Sequence, residues 1–151
     1  MDEHNFVRYT GYWAKNRIVA RACLAHNPKK VLEVGCGEGK LIRLLRDEGV
    51  EAWGVDIENN MKYDVHFIAG VDAKDLPFKD KLFDVVVSND FFEHIAEQDI
   101  DKVYNEMSRV GKHVIARISL KEKDNHLTVK PISWWKEKLP GCEFIGKDWN
   151  K

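Results

Sequence analysis

Short runs of apolar residues alternate along this chain with segments of helical periodicity, and this alternation limits the folds open to it. The patterns indicate strands at residues 31–34, 50–57, 65–69, 83–88, 113–118 and 142–146, and helices at residues 12–26, 41–48, 97–109 and 133–139. The run at residues 83–88 (FDVVVS) is continuous and β-branched, as in strands buried on both faces. We therefore predict an α/β fold with a doubly wound, mostly parallel sheet and helices on both faces.

The length of 151 residues suits a single domain. Within it we expect an N-terminal helical cap at residues 1–28, a cofactor-binding core at residues 29–118, and a C-terminal helix and edge strand at residues 119–151. Tyr9, Tyr12 and Trp13 precede the first strand, where they could form a lid or part of the cap helix.

Composition excludes several classes of function. Lys and Arg number 24 against 25 Asp and Glu, so the net charge is −1 and the chain gives no clear nucleic-acid signature. We find no secretory leader in the first residues and no apolar run long enough to cross a membrane. Cys23, Cys36 and Cys142 are widely spaced, so we predict free thiols, no metal site and a cytoplasmic location.

The segment from Val31 to Lys40, VLEVGCGEGK, places three glycines directly after a strand. A phosphate-binding P-loop is excluded, because the loop is one residue too short and Leu41 replaces the magnesium-binding hydroxyl. A nicotinamide loop is disfavoured, because Lys40 stands where that motif has its third glycine. The nicotinamide loop is not excluded, and a tight turn and an S-adenosylmethionine loop are the other two interpretations.

Glu33 favours the S-adenosylmethionine loop. Gly35 and Gly37 would let the backbone approach the methionine part of that ligand, where a Cβ would collide. A carboxylate at Glu33 can help to hold an ammonium group, whereas it would repel a pyrophosphate. The glycines alone do not decide between the ligand loop and the turn.

Two further carboxylates follow predicted strands. Asp56 ends the second strand about twenty residues beyond the glycines, where an acidic side chain can accept hydrogen bonds from ribose hydroxyls. Asp72, followed by Ala73, comes after the third strand and could accept a hydrogen bond from an adenine amine. For Asp72 a plain turn residue is an equal alternative.

Taken in order, the segments VLEVGCGEG, GVDIE, VDAKDLPFKDKLFDVVVSND and FFEHI resemble the class I S-adenosylmethionine-dependent methyltransferases, and among them the type 11 group. The resemblance covers roughly residues 29–118. It implies a Rossmann-like fold, S-adenosylmethionine as methyl donor and S-adenosylhomocysteine as product.

The resemblance also implies roles for individual residues. It places Glu33, Gly35 and Gly37, with Cys36 between the glycines, around the methionine part of the ligand. Ile57 would pack beside the adenine and Asp56 would bind the ribose. Asp72 and Ala73 would lie at the adenine edge, and Asn89 near the amino-acid end of the ligand and the transferring methyl group.

The C-terminal edge departs from the family pattern, which ends with an antiparallel pair of strands. Only residues 142–146 remain as a strand candidate, so we expect a sheet shortened at that edge. An unpaired edge can be covered by a partner chain, which makes a homodimer a hypothesis.

The sequence leaves the catalytic residues and the acceptor open. His94 and His126 are the candidate general bases, because imidazole titrates near neutral pH. The motifs of amino-methylating and cytosine-methylating nucleic acid enzymes are missing, so we expect a small-molecule acceptor with an oxygen or nitrogen atom. The alternatives are a non-catalytic protein that binds S-adenosylmethionine or S-adenosylhomocysteine, a partner-dependent subunit, and an NAD-dependent oxidoreductase.

Overall fold

The structure is a computed structural model that describes residues 13–146. Its helices are α1 (Ala14–Leu24), α2 (Lys40–Asp47), α3 (Ile100–Val110) and α4 (Ile132–Lys138), and its strands are β1 (Lys30–Val34), β2 (Glu51–Asp56), β3 (His66–Ala69), β4 (Phe83–Asn89), β5 (Gly111–Arg117) and β6 (Glu143–Phe144). Two short 3-10 helices, Phe92–His94 and Glu97–Asp99, follow β4.

The six strands form one sheet in the order β3-β2-β1-β4-β5-β6, and every neighbouring pair is parallel. This confirms the predicted α/β fold. The chain order reverses between β1 and β4, which lie side by side at the centre. In open sheets of this kind ligands bind beyond the carboxyl ends of the strands at that reversal.

Helices cover both faces of the sheet, as predicted. On one face the buried side chains of α1 and α2 pack with Val31, Val85 and Val87 of the central strands. On the other face α3 and α4 pack with residues such as Leu32 and Val86. Neighbouring residues of β1 and β4 therefore point into opposite cores, which explains why these strands read as continuous apolar runs.

The links after β2 and β3 contain no helix within the described part of the chain, in agreement with the sequence prediction. The helix predicted at residues 97–109 is divided. Residues Glu97–Asp99 form a 3-10 turn, and the α-helix runs from Ile100 to Val110. Tight turns of this kind are common at helix starts, and periodicity does not distinguish them.

The C-terminal edge of the sheet is short. The predicted strand at residues 142–146 reduces to Glu143–Phe144, which pairs with Ile115 and Ala116 of β5. Gly141 has a φ of 82°, so the chain is still turning just before this strand begins. The predicted N-terminal cap is described only from Trp13 onward, and Tyr9 and Tyr12 lie outside the described residues.

Candidate active site

A cleft of about 460 Å³ opens at the carboxyl ends of the strands. Its walls come mainly from the ends of β1 and β2 and from the segments after β3 and β4. The lining includes Val34, Gly35, Asp56, Ile57, residues 71–74, Asp90, Phe91, His94 and Ile95, with Asp99 and Val103 near the start of α3. Gly35, Asp56, Ile57, Asp72, Ala73 and His94 therefore line the cleft among the residues singled out from the sequence. Its volume falls within the range of small-molecule and cofactor sites.

The glycine loop requires its glycines for two different reasons. Gly35, Gly37 and Gly39 have φ angles of 74°, 53° and 91°, a left-handed conformation that glycine adopts without strain. At Gly35 a Cβ would also collide with the ring of Phe91. At Gly37 a Cβ would meet no atom of residues 13–146 within 4 Å, so this glycine faces open space where a ligand can approach.

Asp56 is held in place by both oxygens. Its Oδ2 accepts a hydrogen bond from the Gly37 N–H at 2.9 Å, and its Oδ1 accepts one from the Glu58 N–H at 3.0 Å. A carboxylate offers about four acceptor positions. Asp56 therefore joins the end of β2 to the glycine loop and keeps two positions for hydroxyl donors.

The segment after β3 forms another part of the cleft wall. Asp72 Oδ1 accepts a hydrogen bond from the Lys74 N–H at 2.9 Å, a turn in which the side chain is 57% exposed. The ammonium of Lys74 lies 3.7 Å from a carboxylate oxygen of Asp99, and both residues line the cleft. Ile57 is 64% exposed although it is a large apolar residue, so it offers a surface on which a flat ring could pack.

Glu33 lies behind the glycine loop and outside the cleft lining. It belongs to β1 and is 4% exposed, and its Oε1 has no hydrogen-bond partner among residues 13–146. Burial, and then the charge of Asp56, raise the pKa of Glu33 well above its usual value. Glu33 alternates along β1 with Leu32 and Val34, which belong to the core under α3 and α4, so its side chain points to the face covered by α1. A buried acceptor of this kind suits a cationic donor.

Asn89 and Cys36 are not among the residues that line the cleft. The Asn89 amide donates a hydrogen bond to Asn16 Oδ1 of α1 at 3.0 Å, and Asn89 Oδ1 is buried without a partner in the described chain. The Cys36 side chain is 6% exposed and packs into the core toward Gly54. Only the backbone of Cys36 can therefore contact a ligand.

Gly54 leaves the space that Cys36 fills. A Cβ at Gly54 would collide with Ile42 Cδ1 and lie 2.7 Å from Cys36 Sγ. We expect Gly54→Ala to lower the free energy of unfolding by about 1–3 kcal/mol through overpacking. In the Ile42→Val background, which lacks that Cδ1 atom, the cost should be smaller. Urea titration compares Gly54→Ala with the wild type, and the double variant with Ile42→Val. An equal loss of stability in the two comparisons would contradict this account.

The structure brings the two candidate bases together. The rings of His94 and His126 meet edge to face with centroids 4.9 Å apart. His94 Nδ1 lies 2.9 Å from the Asn125 carbonyl oxygen, and His126 Nδ1 lies 2.7 Å from that of Lys121. His94 lines the cleft, whereas His126 is not among the lining residues.

Glu93 is a residue that the sequence analysis did not single out. Its side chain is fully buried beside His94, with Nε2 of the histidine 3.9 Å from Glu93 Oε1. Burial raises the pKa of Glu93 to about 7, and Asp90 adds to this, while backbone amides and Arg117 act in the opposite direction. The available signal was a charged residue inside the apolar run Phe91–Ile95.

No helix in the described part of the chain is long and apolar enough to cross a membrane.

The fold and the loop together define an α/β protein of the nucleoside-binding class. Its marks are a glycine loop after β1, an acid at the end of β2 and the strand order β3-β2-β1-β4-β5-β6.

Comparison with known proteins defines the family. Residues 32–114, more than half of the chain, match the family described as a methyltransferase domain. The chain belongs to this family, the class I S-adenosylmethionine-dependent methyltransferases. The cofactor of this class of enzymes is S-adenosylmethionine.

Individual relatives agree with this assignment. Norajmaline N-methyltransferase from Rauvolfia serpentina is 31% identical over 98 residues, which cover 56% of this chain and 32% of the relative. A protein from Pyrococcus horikoshii OT3 superposes with a TM-score of 0.58 at 30% identity, covering 68% of this chain and 54% of its own. A SAM-dependent methyltransferase from Archaeoglobus fulgidus gives a TM-score of 0.59 at 25% identity, covering 70% and 50%. The chain thus spans about a third to a half of the length of these relatives.

Proposed function

We propose that this chain transfers the methyl group of S-adenosylmethionine to an oxygen or nitrogen atom of a small molecule. The observation that carries the proposal is the cleft at the carboxyl ends of the strands, with Gly35, Asp56, Ile57 and Asp72 in its walls. The plant relative, whose name describes methylation of nitrogen in norajmaline, supports a heteroatom acceptor.

The residues present fit the cofactor. The open space at Gly37 gives room beside the loop, and the anchored carboxylate of Asp56 can accept hydrogen bonds from two ribose hydroxyls. The exposed face of Ile57 can pack against an adenine, and Asp72 can accept a hydrogen bond from its amine. Glu33 Oε1 and Asn89 Oδ1, both buried and unpartnered among the described residues, suit the ammonium of a methionine group.

When bound, S-adenosylmethionine supplies a methyl carbon that is already activated by the sulfonium. The chain then has to hold the donor and the acceptor in line and exclude water, for which alignment alone can contribute roughly 7–11 kcal/mol. A base is needed only when the acceptor must lose a proton. We assign no general base, and His94 and His126 stay candidates for that role.

The test is transfer of label from methyl-labelled S-adenosylmethionine to panels of small amines, phenols and carboxylic acids. We expect label in at least one acceptor and equimolar S-adenosylhomocysteine. If the protein binds S-adenosylhomocysteine tightly but none of the panels or a small-molecule extract accepts label, the non-catalytic binding protein takes precedence.

We also propose a cytoplasmic location, supported by the unpaired thiols of Cys23, Cys36 and Cys142. The homodimer stays a prediction, which sedimentation velocity would test.

A further inference from the structure

Glu93, His94 and His126 form a cluster at the wall of the cleft. Each residue offers one ligand atom, and the three atoms lie within 4.8 Å of one another. Glu93 and His94 belong to the 3-10 helix after β4, and His126 lies in the segment between β5 and α4. Residues from two separate parts of the chain therefore converge on one point.

The carboxylate of Glu93 lacks a partner for either oxygen. Its side chain is fully buried, and neither Oε1 nor Oε2 has a partner at hydrogen-bond geometry within residues 13–146, although the backbone amides of Glu93 and Ser119 lie near enough to favour the charged form. Nη1 of the nearby Arg117 donates to Asp90 Oδ1 at 2.7 Å. A buried carboxylate is normally paired, protonated or bound to a metal ion, because its desolvation is otherwise costly.

Both histidines have their tautomer fixed by the backbone. A carbonyl oxygen can only accept, so His94 Nδ1 must donate to Asn125 O and His126 Nδ1 must donate to Lys121 O. The neutral rings then carry their lone pairs on Nε2, the atom that binds metals. A metal-binding histidine usually donates its other ring N–H to a carbonyl or carboxylate in this way.

We propose that Glu93, His94 and His126 bind a divalent first-row transition metal ion such as Zn²⁺. Two imidazoles and one carboxylate form a ligand set of zinc sites that keep an open position for water or another small donor. Imidazole ligands favour such ions over Mg²⁺ or Ca²⁺. His94 Nε2 and Glu93 Oε1 are 3.9 Å apart, close to the roughly 3.4 Å that separates two ligand atoms in a tetrahedral site with bonds of about 2.1 Å.

A second group of the same residue types serves as a contrast. His26, His113 and Glu143 also gather within 4.8 Å. Here Glu143 Oε1 is already 3.0 Å from His26 Nε2 and 3.4 Å from His113 Nε2, and its side chain is 38% exposed. Hydrogen bonds between Glu143 and the two histidines explain why these residues gather. The group therefore serves as the matched control for metal binding.

The inference departs from the sequence prediction that the chain has no metal site, and it goes beyond methyl transfer without depending on it. An ion would occupy the Nε2 lone pair of His94, which lines the cleft, and that of His126. While the ion is bound, neither histidine could act as a general base.

Cobalt is the probe, because its visible spectrum reports the ligands. The 151-residue chain without an affinity tag is freed of metal with a chelator and titrated with Co²⁺, and Zn²⁺ is then added as competitor. We expect one ion per chain, displaced by Zn²⁺. Loss of an outer-shell partner alone costs 10–100-fold in affinity, so His126→Asn should weaken binding by at least about 100-fold. His113→Asn should leave it unchanged.

Glu93→Gln keeps the side-chain volume and should also abolish tight binding. Because Glu93 is buried, circular dichroism must show that this variant folds. If it does not fold, the Co²⁺ affinity of His126→Asn is the test, since that side chain is partly exposed. The proposal is overturned if millimolar Co²⁺ gives no bound spectrum. It is equally overturned if His113→Asn removes binding while His126→Asn retains it. Neither result would bear on cofactor binding, which is measured separately without metal.

Discussion

Replacing Asp56 by alanine is expected to weaken binding of S-adenosylhomocysteine by about 100-fold or more. Hydrogen bonds to a charged group contribute roughly 1.5–3 kcal/mol each, and Asp56 has two acceptor positions left for the ribose hydroxyls. The variant also loses the hydrogen bond from the Gly37 N–H that orients the glycine loop. Titration calorimetry measures the affinity.

The control for this variant is Asp64→Ala, which removes the same charge from an exposed position outside the cleft lining. It should bind S-adenosylhomocysteine as the wild type does. Thermal unfolding must show that Asp56→Ala remains folded. Wild-type affinity in a folded Asp56→Ala protein would remove Asp56 from the binding site.

Glu33→Gln is expected to make the ligand-free protein more stable while it weakens cofactor binding. The pKa of Glu33 is raised in the folded state, so the folded protein holds a proton that the unfolded chain releases. The free energy of unfolding of the wild type therefore falls, through this group, as pH rises from about 4.5 through the folded pKa. Glutamine does not titrate, so the free energy of unfolding of the variant does not fall with pH at this position.

Urea titrations at several pH values measure the effect. At neutral pH the free energy of unfolding of the variant should exceed that of the wild type by up to about 3 kcal/mol, because proton linkage costs the wild type about 1.4 kcal/mol for each pH unit above the unfolded pKa, and the gain should vanish near pH 4. The affinity for S-adenosylhomocysteine should fall roughly tenfold, because the ammonium favours the ionised form of Glu33 when it binds and a neutral amide accepts a weaker hydrogen bond. Glu51→Gln, on the exposed start of β2, should change neither quantity. A variant that loses stability at neutral pH would contradict the account.

The sheet could be predicted because its strands carry their own signal. Continuous apolar runs such as Val85–Val87 require burial on both faces, and that requirement leaves few architectures. The edge was harder, because β6 is two residues long and forms only where β5 offers Ile115 and Ala116. Such a strand depends on its neighbour rather than on local propensity.

The residues that line the cleft were also predictable, because the carboxyl ends of parallel strands lie at the same edge of a sheet. The direction in which each side chain points could not be predicted. Cys36 turns into the core because Gly54, eighteen residues away on β2, leaves space for its sulfur. Asn89 turns toward α1 because Asn16 accepts its amide hydrogen. The burial of Glu93 depends on packing against residues from other elements, which no local pattern shows.

Calorimetric titration of the protein with S-adenosylhomocysteine, with NADH in a parallel experiment, tests the central claim most directly. We expect one molecule of S-adenosylhomocysteine bound per chain, with a matching rise in melting temperature as the ligand stabilises the folded state. NADH should give neither heat of binding nor a shift. A melting temperature raised by NADH and unchanged by S-adenosylhomocysteine would contradict the assignment of the cleft.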